Sequence, residues 1–168
     1  MSAFTDLLHQ SSSEALINSV ADMTLQRPGL MEELWEFAIT DDPAAWKALW
    51  VMDKIHDTRP DLIRPYLKRM LDNVERLKQS GQKRQILKLL SLNPLPADPT
   101  GGFIDFCFTL LQSKSEPIAG RVYAMQVLYN ISERIPEFKN ELRAVIEDAM
   151  IEGTPGIKSR GRKLLRNL

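Results

Sequence analysis

Residues 41–71 read DDPAAWKALWVMDKIHDTRPDLIRPYLKRML. Two of the three Trp, one of the two His and several carboxylates crowd into this stretch, so it is either a reaction centre or one unit of a repeat. Its periodicity favours the repeat. Trp46, Trp50, Asp53 and Asp57 fall on one helical stripe, Ala48, Val51 and Ile55 on a second, and Leu49, Met52 and His56 on a third. A helix apolar nearly all round is one packed between neighbours on both sides. Aromatic side chains at this spacing usually fill such a core, so both Trp are expected in gaps between adjacent units. The competing reading is a surface groove in which Trp50 and Asp53 hold a ligand.

The same pattern returns further along. Laying 46–70 over 122–146 pairs Ala48 with Ala124, Leu49 with Met125, Val51 with Val127, Met52 with Leu128 and Ile55 with Ile131. It also pairs Pro60 with Pro136, Leu62 with Phe138 and Met70 with Ile146, all at an offset of 76 residues (48 to 124), or two steps of 38. A middle unit starts at SGQKRQILKLL, from residue 80. A weaker echo aligns Ile118, Arg121, Val122 and Met125 with Ile157, Arg160, Gly161 and Leu164. A period near 40, with two helices per unit and a proline at the turn, marks an array of helical hairpins.

Boundary signals agree. Ser residues at 11–13 can cap a helix from about residue 14, and Pro28 opens the next, striped by Leu30, Leu34, Phe37 and Ala38. Asp41 or Asp42 caps a helix ending near Thr58, before Pro60. Further helices are expected over 61 into the 70s, from about 81 through 91, at FIDFCFTLLQ, over 117–134, over 136–152, and after GTPG. Roughly nine or ten helices and no strand follow from these signals.

The units resemble the HEAT repeat family. DDPAAWKALWVMDKI…RP and SEPIAGRVYAMQVLYNI…IP look like its first helix: a proline entry, a basic residue four positions on, then an Ala-containing apolar face. RPDLIRPYLKRML and IPEFKNELRAVIEDAM look like its second. The resemblance covers roughly residues 12–168 and departs from the family at SLNPLPADPTGG, an insert-like segment in the middle unit. It implies an all-α fold, a right-handed α-α superhelix of four to five hairpins forming a single domain over 1–168. The second helices would then line the concave side.

Composition is that of an ordinary soluble chain, 43% hydrophobic and 26% charged over 168 residues. Net charge is zero, but the charges are segregated. Residues 1–60 hold 10 acidic and 4 basic side chains, 61–88 hold 3 and 8, 89–156 hold 9 and 5, and 157–168 hold none and 5. The basic residues Arg64, Lys68, Arg69, Lys83, Arg84 and Lys88 are the candidate partner-binding set, facing either an acidic protein segment or a phosphate backbone. Glu32, Glu33 and Glu36 read as a solvated face.

No membrane span and no secretory signal are visible, and one cysteine, Cys107, fits a reducing compartment, so cytoplasm is the expected location. Set among Phe103, Phe106 and Phe108, that thiol reads as buried and inert. His9 and His56 are too few for a metal cluster, and no phosphate-loop or nucleophile-elbow motif occurs. No metal or cofactor is expected. The leading function is a non-catalytic scaffold for protein–protein interaction. The alternative is a DNA-binding or base-excision protein resembling the HEAT-like alkylpurine DNA glycosylases, which place Trp and Asp on a basic face.

Overall fold

A computed structural model describes residues 3–168. The described residues form helices and their connections, with no strand. The helices are α1 (Ala3–Gln10), α2 (Glu14–Gln26), α3 (Leu30–Ala38), α4 (Ala45–Thr58), α5 (Pro60–Ile63), α6 (Leu67–Asn73), α7 (Ser80–Ser91), α8 (Gly101–Gln112), α9 (Ile118–Ser132), α10 (Lys139–Ile151) and α11 (Pro155–Leu165). Two compact units, divided after Ile86, make up the chain.

In the first unit α4 packs against α2, α3 and α5. In the second α9 packs against α8, α10 and α11. In chain order α2, α4, α7, α9 and α11 are the first helices of hairpins. Helices α3, α5–α6, α8 and α10 are the second helices, and the fold is an α-solenoid of hairpins. The faces aligned at the 76-residue offset are the packed ones: Ala48, Leu49, Val51, Met52 and Ile55 are all buried, as are Ala124, Met125, Val127, Leu128 and Ile131.

Local chemistry sets the ends. Ser13 Oγ accepts from Leu16 N–H at the start of α2, and Thr100 Oγ1 accepts from Phe103 N–H at the start of α8. Asp42 Oδ1 accepts from Ala44 N–H, fixing the turn into α4. The helix expected from residue 61 is interrupted: Pro65 lacks an N–H, and the chain takes a 3₁₀ turn over Arg64–Tyr66 between α5 and α6. Helix α1 precedes the first helix that the sequence signals mark, and its Phe4 and Leu8, one turn apart, are both buried.

Polar cross-links step by about one repeat. Lys47, itself buried, donates from Nζ to Leu8 O (2.8 Å) and Ser11 O (3.0 Å), capping the end of α1. Buried Gln82 does the same for α3, donating to Ala38 O (2.8 Å) and Thr40 O (2.9 Å). Carbonyls left over at a helix end need donors, and a first helix one repeat later supplies them. Arg121 acts on the helix just before it, donating from Nε to Leu111 O at the end of α8. The basic residue four positions after the entry proline is thus a cap in both units.

Candidate functional site

The second helices of the first unit present a charged surface. On α3, Glu32, Glu33 and Glu36 are exposed while Met31, Leu34, Trp35 and Ala38 face inward. On α5–α6, Ile63, Leu67, Met70 and Leu71 are buried, which turns Arg64 and Lys68 outward. Arg69 lies at the seam. Its guanidinium donates from Nη1 and Nη2 to both Glu32 carboxylate oxygens at 2.8 Å, and from Nη2 to Glu36 at 3.0 Å. The same group stands 5.2 Å from the Trp35 ring centroid and 5.5 Å from that of Tyr66.

A planar guanidinium suits this double duty, since its edge forks onto carboxylates while its face stacks on rings. The Arg69 hydrogen bond holds the Glu32 carboxyl below the usual carboxylate range. Burial pushes the Tyr66 phenol up, and its hydrogen bond to Glu32 adds to that. Lys68 pairs with Asp72 one turn on, and Lys78 with Asp41. Arg64 is exposed and forms no ion pair among the described residues.

The sequence-derived basic set is therefore split. Arg64, Lys68 and Arg69 share the second-helix surface. Lys83 and Arg84 lie on the first helix α7, with Lys88 one turn beyond Arg84. Arg84 stands over the Trp46 ring, 5.9 Å from its centroid. That ring stacks on Trp50, with centroids 5.7 Å apart and planes 11° from parallel. A Cβ at Gly81 would meet Trp46 Cβ and Cγ at 3.1 Å, so the bare Gly81 backbone lets the indole lie against α7.

Trp46 lies against α7 with Trp50 stacked on it, and both are only half-buried; the fully buried indole is Trp35, at 1% exposure. Asp53 is 4% exposed, so its carboxylate does not share the surface that Trp50 offers. Cys107 is buried on α8. Among the described residues no group of His, Cys, Asp and Glu is arranged to hold a metal ion, and no helix is long and apolar enough to cross a membrane.

The Arg69–Glu32 link signals itself in the sequence as a one-repeat spacing of opposite charges, yet periodicity alone gave no reason to select it. Successive hairpins with buried first helices and charged second-helix faces define a helical-repeat protein. Residues 4–168 match the family model described as the HEAT repeat domain, and the chain belongs to that family. No curated protein and no solved structure matches it.

Proposed function

We propose that this HEAT repeat protein is a non-catalytic cytoplasmic scaffold that holds a protein partner along the exposed faces of α3 and α5–α6. The observation that carries this reading is the Arg69 brace. It fixes two successive second helices to each other through Glu32 and Glu36 while leaving Arg64, Lys68 and Glu33 pointing into solvent. A polar surface held in place before binding loses little entropy when a partner arrives.

A protein partner fits better than a nucleic acid. Lys68, Arg69 and Lys78 each face a carboxylate, at Asp72, Glu32 with Glu36, and Asp41. Those carboxylates lower the local positive potential and would repel phosphates, whereas a polypeptide carrying both signs can match the pattern. Arg64→Glu combined with Lys68→Glu is expected to abolish capture of the wild-type partner from lysate while the melting temperature barely moves. Undiminished capture by the double variant would place the binding surface elsewhere. Binding to short duplex DNA that falls steeply with salt would favour the nucleic-acid reading.

A further inference from the structure

Between α1 and α3 runs an open groove of about 590 Å³, floored by Phe37 and rimmed by Glu32, Glu33, Glu36 and Asp42. The Phe37 ring meets His9 edge-on, with centroids 6.0 Å apart. Four carboxylates on the rim face one guanidinium, Arg69, and one imidazole, His9, whose Nε2 lies 2.9 Å from Asp42. Even with both cations charged the groove keeps a net negative rim. Glu33 has no ion pair among the described residues.

The opposite pattern stands on α11. Ile157, Gly161 and Leu164 are buried, and Arg162, Lys163 and Arg166 are exposed. None of these three cations has an ion pair among the described residues. Gly161 is where α11 settles on α10: a Cβ there would meet Met150 Sδ at 2.5 Å, so the helix is held tightly by its small face with its basic face outward. One chain thus carries an acid-rimmed apolar groove and a helix whose exposed basic face has no ion pair among the described residues.

We propose that the occupant of the α1–α3 groove is the α11 helix of a second copy. The Arg and Lys stems lie over Phe37 while their heads reach the rim carboxylates. The contact is heterologous, because groove and helix are different surfaces, so each added copy leaves one of each open. It is also charge-driven and therefore sensitive to salt. This inference does not need the α5–α6 surface to bind anything, so it survives failure of the scaffold test above.

Sedimentation of the full chain over a concentration series tests it, with two charge-reversed variants. One carries Arg162→Glu, Lys163→Glu and Arg166→Glu; the other carries Glu33→Lys and Glu36→Lys. Wild type is expected to exceed the 19.2 kDa monomer mass at low salt as concentration rises, and to return to it at about 1 M salt, where the Debye length is about 3 Å. Each variant alone should stay monomeric, because its groove and helix then carry the same sign. The helix variant should keep its melting curve, while Glu36→Lys also removes one arm of the Arg69 brace and should lower the melting temperature slightly. Mixing the two should restore association, which misfolded variants could not do. A wild type that remains monomeric, variants that associate alone, or a mixture that does not associate would each overturn the proposal.

Discussion

Helices α4 and α9 share one buried face and differ on the face toward neighbouring first helices. In α4 that face carries the Trp46–Trp50 stack with Arg84 above it. At the positions equivalent to Trp50 and Lys54, α9 carries Gln126 and Asn130. Arg160 of α11 donates to Gln126 Oε1 (2.6 Å), Gln126 Nε2 donates to Asn130 Oδ1 (2.9 Å), and Asn130 Nδ2 donates to Ser91 O at the end of α7 (3.1 Å). One polar chain therefore links three successive first helices.

The equivalent of Asn130 keeps its job in different chemistry. Lys54 reaches back one first helix to Glu14, a step of 40 residues, and Asn130 reaches Ser91, a step of 39. The repeat conserves the apolar face and the direction of the reach, while the side chain that reaches is free to vary. Stacking in one unit and hydrogen bonding in the other perform the same mechanical task.

The comparison can be broken first at the shared face. Leu49→Ala and Met125→Ala both empty fully buried sites and should each cost about 2–5 kcal/mol by chemical denaturation. A cost confined to one unit would mean that the two faces are not equivalent. Trp46→Ala comes next, at about 2 kcal/mol, below the about 3–5 kcal/mol of a fully buried aromatic because the ring is half-exposed. Trp35→Ala, at the fully buried indole, should exceed it; the reverse order would contradict the placement of the two rings.

Lys47→Met keeps the apolar stem and removes the donor to Leu8 O and Ser11 O, at a cost of about 1–3 kcal/mol for the carbonyls left unmet. Hydrogen exchange should then rise mainly in α1, and unchanged exchange there would deny the cap. The smallest effect belongs to the reaching pair. The Lys54 hydrogen bond lowers the Glu14 pKa from 4.5, so its contribution is present above pH 4.5 and is lost as pH falls through the lowered value. Glu14→Gln should remove that small contribution at neutral pH, leave stability in acid below the lowered value unchanged, and so flatten this part of the acid dependence.

What was legible in the sequence follows from how much physical constraint each feature carries. A buried stripe must be apolar at fixed spacing, so the aligned faces of α4 and α9 stand out. The turn after each must admit proline, so Pro60 and Pro136 show. Helix α1 is short, and Phe4 and Leu8 make too brief an apolar stripe to register. The Arg69 brace depends on which residue of α3 lies opposite α6, a tertiary register that no local pattern encodes. For the same reason Arg84 looked like part of one basic face with Arg64, although it stands over Trp46.

The central claim is that first helices build the array and second helices receive the partner. Side-chain footprinting of the bound complex tests it most directly. Labelling should fall on binding at Arg64, Lys68 and Glu33, while the half-exposed Trp50 on α4 labels as in the free protein. Protection of Trp50 with α5–α6 left open would contradict the account.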